Sequence, residues 1–301
     1  VNRKLGRNYF LSIQAVDDSF VSVQLPLTIE FDAQRSTLGS ANVGTIRVYN
    51  LSRVNRNLIL KNQGGNDYAR KVTLQAGYGP GPILPVVLSG TISQCWSVRE
   101  GNNFISQIEV LDGGRAFADA TLQLSPFPEN TPQQTVVEEI ANSVNQFGVR
   151  TGAISSFPGT ISRGNSYSGS PMSILNEITN GKAFIDNSVL NILADNDVIG
   201  SYGLFLLNSS SGLLNTPIRE QQYINIEILF EPMVSCGQQL LLDSSQDENM
   251  NGFYKVIGVH HRGMISSAVC GEATTSLKCL KLGQLNKVQQ VGSVPSVGGI
   301  A

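Results

Sequence analysis

The chain is poor in the side chains that usually carry chemistry. Its 301 residues include 2 histidines, 4 cysteines and 1 tryptophan. Cys95, Cys236, Cys270 and Cys279 have neither CxxC spacing nor the density of a disulfide scaffold, which excludes a zinc ribbon or redox motif and leaves structural thiols in a reducing cytoplasm. Charge is sparse as well: Asp, Glu, Lys and Arg make up 15% of the chain, against roughly 25% in ordinary soluble domains. With 21 basic and 23 acidic residues the net charge is -2, so there is no basic footprint for wrapping nucleic acid, and any contact with DNA is expected to be loose. So weakly charged a surface, rich in Asn, Ser, Gln and Gly, suits a subunit buried among partners. No basic segment followed by an apolar run opens the sequence, and no apolar span of about twenty residues occurs, so neither a secretory signal nor a membrane-spanning segment is expected.

Catalytic motifs are missing too. There is no GxSxG, P-loop or HExxH, and the glycine-rich loop from Gly77 to Pro82 lacks the Lys-Ser/Thr that a phosphate cradle needs. His260 and His261 are adjacent, and neighbours on a strand point to opposite faces. One ion would not easily use both, and a site would need help from Cys270 or Asp243. The plainer expectation is one histidine packed and one at a surface. Asp112, Asp119, Glu138, Glu139, Asp195, Asp197, Asp243, Asp247 and Glu248 could in principle supply a glycosidase pair, but Glu138 and Glu139 fit the solvated face of a helix. Trp96 is expected in the core, given the area it buries. The reading is therefore no enzyme, with no catalytic residue, no metal ligand and no cofactor.

What the sequence does have is strands. Residues 9 to 31 alternate in the period of half-buried strands, with a turn at Asp17-Asp18-Ser19, and Pro26 marks an edge or bulge. Further strands are expected over 45–51, 72–78, 86–98 and 104–111, with a short helix capped by Ser52. This first unit, a barrel or sandwich, occupies residues 1–114. A change of period marks an α/β insert over 115–200. There Thr131, Pro132 and Gln134 form a capping box for a helix that ends at Gly148, a second helix starts at Ser170-Pro171 and stops at Gly181, and a hairpin turns at Asp186-Asn187-Ser188. Strands resume over 201–283. The stretch Gly252–Gly263 matches Gly90–Gly101 in its bounding glycines, its apolar interior and its late charge, which predicts that the two β units are one fold repeated. Residues 284–301 have no periodicity; alone they would be disordered, so they are expected to lie extended against a partner.

The order of these segments resembles the baseplate hub family of contractile phage tails. The resemblance rests on residues 26–32 (Pro-Leu-Thr-Ile-Glu-Phe-Asp), on Ile46-Arg47-Val48-Tyr49-Asn50-Leu51-Ser52 with Arg53 and Arg56, and on 74–78 followed by Gly90-Thr91-Ile92. In the second half it rests on residues 170–175 leading to the 184–192 hairpin, and on 251–256 followed by Val259-His260-His261-Arg262-Gly263. It covers about residues 5–283 and implies a mainly β fold with a small α/β insert and two tail-tube-like β-barrels. It also implies a structural virion protein that joins the sixfold tail tube to the threefold central spike around a DNA-sized channel. A homotrimer is expected, touching the tail tube protein, the central spike protein, other baseplate proteins and the tape measure protein, with DNA only in transit. Such a protein would be assembled in the host bacterial cytoplasm. A carbohydrate-binding β-sandwich would instead need exposed aromatics on one face, and a cell-wall hydrolase would need paired carboxylates or a metal in a cleft.

Overall fold

The computed structural model describes residues 6–60, 70–79, 83–114, 120–123, 126–244, 248–269, 271–282 and 289–291. The N-terminal unit consists of β1 (Arg7–Gln14), β2 (Phe20–Gln24), β3 (Ile29–Ser36), β4 (Asn42–Tyr49), the helix α1 (Arg53–Ile59), β5 (Lys71–Tyr78), β6 (Val86–Glu100) and β7 (Asn103–Asp112). Alternation decides which side chains go inside: Tyr9, Leu11 and Ile13 of β1, Val21 and Val23 of β2, and Ile29, Phe31 and Ala33 of β3 all enter one core. Phe10, between two of them, points out and is 36% exposed. Asp17 Oδ1 accepts from the Ser19 N–H at 3.1 Å, and Asp18 takes φ 64, which closes the expected turn. Pro26 lies in the turn between β2 and β3 rather than inside a strand. The apolar alternation ran on through the turn because Leu25 and Leu27 also pack on the core. Ser52 caps α1, accepting from the Asn55 N–H at 3.2 Å.

The insert contains β8 (Leu122–Gln123), α2 (Gln133–Ser143), β9 (Arg150–Ile154), β10 (Ser168–Gly169), α3 (Pro171–Ile178), β11 (Ala183–Asp186), β12 (Val189–Ile192) and β13 (Asp197–Ile199). Val136, Val137, Ile140 and Val144 bury one face of α2 and its terminal 3-10 turn against Met172 and Leu175 of α3. Gly148, at φ 81, ends the segment. The expected capping box does not form. Pro132 is the residue before the helix, the Thr131 hydroxyl donates to the Pro128 carbonyl at 2.7 Å, and Gln134 is taken by Glu138 and the Phe157 N–H. A proline there forces an extended approach that carries the threonine away from the helix end. α3 ends at Ile178 and the chain then passes through Asn180 and Gly181, both at positive φ. In the hairpin β11–β12, Asn187 and Ser188 both have positive φ, 51 and 62, the mirror-image turn that suits a two-residue connection.

The C-terminal unit holds β14 (Leu204–Asn208), β15 (Ile218–Glu220), β16 (Tyr223–Leu229), β17 (Gln239–Asp243), β18 (Gly252–Ile265) and β19 (Ala273–Lys281). Its strands lie in the order β15-β16-β19-β18-β17-β14, and those of the N-terminal unit in the order β3-β4-β7-β6-β5-β1. These are the same path. Each pair along it is antiparallel in both units, except that β14 runs parallel to β17 where β1 runs antiparallel to β5. The correspondence extends to single residues. Both long hairpins carry a bulge at the same place, between Ile92 and Gln94 and between Val256 and Gly258. The Ile92 N–H donates to Arg70 O, as the Val256 N–H donates to Gln238 O, each at 2.9 Å; Asn50 N–H donates to Phe104 O, as Phe230 N–H donates to Ala273 O. In this register Gly90 matches Tyr254 and Gly263 matches Arg99. The strands expected to correspond do so, but the glycines that suggested it are not equivalent.

The two units are not separate barrels. β18 gives its first half to β17 and its second half to β3, so both units belong to one 13-stranded sheet, β15-β16-β19-β18-β3-β4-β7-β6-β5-β1-β2, with β17 and β14 branching from it. Among the described residues that path has two free ends and no closed barrel. Behind the sheet sit a core for each unit and one for the insert. Of the tail over 284–301, only β20 (Gln289–Val291) falls among the described residues, and it pairs in parallel with β13 of the same chain. The remainder of the tail lies outside the described residues. No helix among the described residues is long and apolar enough to cross a membrane.

Candidate functional site: a polar sheet face over a buried ionic junction

Because the pairing of β3 with β18 keeps the ladder in register, the side chains pointing away from the cores form rows that cross from one unit into the other. One row reads Leu229, Thr274, Arg262, Asp32, Thr45, Glu109, Gln94. The next reads Glu227, Ser276, His260, Gln34, Val43, Leu111, and a third Met264, Glu30, Arg47, Gln107, Trp96. The face is polar, and Arg47 and Arg262 are paired with carboxylates within it, whereas the Lys278 ammonium lies over the Tyr223 ring at 5.1 Å. Arg47 lies 3.1 Å from Glu30 and 3.2 Å from Glu100, Arg262 lies 3.2 Å from Glu227, and His260 Nε2 lies 2.9 Å from Asp32. A groove of about 680 Å³ runs over it, bordered by Gln34, Ser36, Val43, His260, Lys278 and Ile218. Trp96 stands in the third row, half-buried, and is not a core residue. β7 pairs with β6 through Trp96, opposite Gln107, whereas β5 pairs with β6 only as far as Thr91.

On the opposite side of the same strands the next residues meet the insert. Arg35, 2% exposed, reaches from β3 to Asp186 at 3.0 Å, to the Val234 carbonyl at 2.8 Å and to His261 Nε2 at 3.0 Å. His261 completes its bonding with the Thr275 hydroxyl at 2.9 Å and meets the Phe230 ring edge-on. Asp186 accepts also from the Cys236 N–H at 3.2 Å. Beside it Asp112 accepts from the N–H groups of Asn187 at 2.5 Å and Ser188 at 2.7 Å, and the Asn42 amide donates to the Ile185 carbonyl at 2.7 Å. The hairpin turn of the insert is thus wedged where the two β units meet. Lys255 of β18 adds a second tie, donating to the Ala194 carbonyl at 2.7 Å.

Burial sets the ionisation of this junction. It pushes the Asp112 carboxyl up to about 7, helped by the negative Asp186 and opposed by the two N–H donors and Arg35. It holds His261 well below the usual histidine range, with the Arg35 charge adding to the effect. It brings Lys255 down to about 8, against the pull of Asp195 and Asp197. For Arg35, burial is the largest influence and works against the charge, but Asp186, Cys236 and Asp112 together outweigh it and keep the guanidinium ionised. Cys236 is also buried here, its thiol pushed well up. The junction holds three segments in register, and within it the Arg35 Nε is buried with no hydrogen-bond partner among the described residues.

The remaining sequence candidates are scattered. His260 and His261 do split between surface and interior, as adjacent strand residues must. Glu138 and Glu139 lie exposed on α2. Asp195 pairs with Lys182 at 2.6 Å, Asp197 is buried in β13, and Asp243 and Glu248 are exposed. Asp119, Asp247 and Cys270 lie outside the described residues. Among the described residues no group of three His, Cys, Asp or Glu could hold a metal ion. The Arg35 cluster was missed by the sequence reading, and the one available signal was a charged residue at an inward position of a strongly alternating strand.

Solved structures similar to this fold include tail proteins. The 43 kDa tail protein of prophage MuSo2 from Shewanella oneidensis aligns with TM-score 0.60 at 9% identity over 92% of this chain and 97% of its own. A tail protein from Neisseria meningitidis MC58 aligns with TM-score 0.57 at 9% identity over 92% and 97%. An Escherichia coli type VI secretion component, described as similar to the T4 bacteriophage tail proteins gp27 and gp5, aligns with TM-score 0.58 at 8% identity over 95% and 79%. The fold is that of phage tail proteins and their secretion-system counterparts. A family model, Baseplate hub gp41, matches residues 12–262, and the chain belongs to that family. Its role is structural, in the baseplate of a phage tail. No curated protein matches the chain in sequence.

Proposed function

We propose that the protein is the hub that joins the sixfold tail tube to the threefold central spike, as a homotrimer around a DNA-sized channel. The observation that carries this is the repeated strand path, β3-β4-β7-β6-β5-β1 and β15-β16-β19-β18-β17-β14, fused into one sheet through β3 and β18. Three chains with two such units each offer six similar faces to a sixfold tube while keeping threefold symmetry toward the spike. Head-to-tail contacts that close give rings of this kind, and the tube-like barrel is completed only in the ring. The units span 1–114 and 201–283, with the insert at 115–200 outside the ring as a brace between them.

The polar sheet face lines the channel in this reading. DNA must slide there, and each phosphate paired with Lys or Arg would add affinity that retards it. Arg47 and Arg262, both tied to carboxylates within the face, suit such a lining. Tail tube, spike and other baseplate proteins, with the tape measure protein, are the partners; the protein catalyses nothing and needs no cofactor. Mass measurement on the isolated protein and on assembled tails tests the assignment. Three copies per particle and a ring in electron micrographs are expected; six copies, or a monomer within the tail, would overturn it.

A further inference from the structure

The internal repeat makes a prediction about a surface that the chain itself leaves open. At the junction inside the chain, β3 runs antiparallel to the second half of β18, with Gly258 opposite Ser36, His260 opposite Gln34 and Arg262 opposite Asp32. In the repeat, β18 corresponds to β6 and β3 to β15. Opposite residues fix the register: Thr45 pairs with Glu109 as Asn225 pairs with Lys278, and Asp32 pairs with Thr45 as Ile218 pairs with Asn225. Asp32 therefore corresponds to Ile218, Gln34 to Glu220, His260 to Trp96 and Arg262 to Val98. Yet β5 covers β6 only as far as Thr91, and no described strand pairs with the same edge from Ser93 to Glu100. Likewise β15 has β16 on one side and no described strand on the other.

We propose that β15 of one copy pairs antiparallel with the second half of β6 in a second copy, repeating between chains the β3·β18 junction found within the chain. Transferring the internal register places Ile218 opposite Val98, Arg219 opposite Ser97 and Glu220 opposite Trp96. The side chains fit that placement: Ile218 is 65% and Val98 41% exposed, an apolar pair that cross-strand contact would cover. Two unpaired edges of this kind otherwise invite indiscriminate association. The pairing extends the polar rows of the sheet into the next chain, and it rests on the ring reading given above.

The test uses the full chain carrying Val98→Cys with Ile218→Cys. After mild oxidation, non-reducing electrophoresis should show chains linked up to the trimer, which neither single substitution gives. Val98→Cys with Arg219→Cys, on opposite faces in this register, should not link. Ile218→Lys, at an exposed site that leaves folding intact by circular dichroism, should weaken self-association at least tenfold. Assembly of copies by mass without the 98–218 link, or equal linking at 98–219, overturns the pairing while leaving the ring. A monomer at every concentration, with no link, overturns both.

Discussion

Arg35 Nη1 lies 3.0 Å from Asp186 Oδ1 across 151 residues of sequence, with both side chains buried. One partner comes from a strand shared by the two β units and the other from the hairpin of the insert. A charge in such a place is tolerable only while its partner is present.

Replacing Arg35 by Met should therefore cost about 3–5 kcal/mol, because it strands the Asp186 carboxylate. The double variant Arg35→Met with Asp186→Leu should recover a large part of that loss. Denaturation in urea across the double-mutant cycle measures the coupling; additive losses would show that the pair is not a unit.

Two buried groups should give opposite pH responses. His261 titrates well below the usual histidine range in the folded chain, so below pH about 6.5 the unfolded chain binds the extra proton and stability falls as pH falls. Asp112 is raised to about 7, so between about 4, the unfolded value, and 7 the folded chain binds the extra proton, and stability falls as pH rises. Relative to the unsubstituted protein, His261→Gln should gain stability as pH drops from about 6.5 to 4, and Asp112→Asn should lose it. Thermal melts across that range decide; parallel curves would place both groups outside the linkage.

Gly113 sits at φ 68, and a Cβ there would lie 2.6 Å from Ile185 Cδ1. Gly113→Val combines a strained backbone with a collision against the wedged hairpin and should destabilise by about 2–4 kcal/mol, combining backbone strain and overpacking. Gly101→Ala, at φ 58 with nothing within 4 Å, bears only the backbone part. Comparing the two by denaturation separates the effects; equal losses would mean the collision is relieved for free.

Freeing Arg47 should make the polar face bind DNA. Glu30→Gln with Glu100→Gln removes both partners of Arg47, and a short duplex should then bind more tightly, with a salt slope steeper by about one per phosphate gained. Strong, steeply salt-dependent binding by the unsubstituted protein would rule out this face as a sliding surface.

Much of this was legible in the sequence because strands and amphipathic helices announce themselves by period. The expected strands over 72–78, 86–98 and 104–111 became β5 to β7, and the apolar stripe of Val136, Val137, Ile140 and Val144 became the buried face of α2 and its terminal turn. Contacts between distant segments have no period. Nothing near Arg35 in the sequence points to Asp186, and no local pattern says that β18 divides itself between β17 and β3. Trp96 was misplaced because its size does not say which face of a strand it takes; alternation puts it in the polar row with Arg47 and Gln107. The repeat was inferred from glycines that do not align, and it holds because strand path and bulges agree.

The division of β18 also sets an order of events in time. The N-terminal unit can build its hairpins as soon as its own residues are free, since β4 to β7 pair among themselves. β3, however, cannot acquire its second neighbour until Gly258–Ile265 has been made. During synthesis at about 5–20 residues per second, that edge stays bare for roughly ten to fifty seconds. Its alternation of buried apolar and polar residues, Phe31 and Ala33 between Glu30, Asp32 and Gln34, keeps a row with two acids on the other side of the nascent sheet. The chain that emerges last is the one that protects the strand that emerged early.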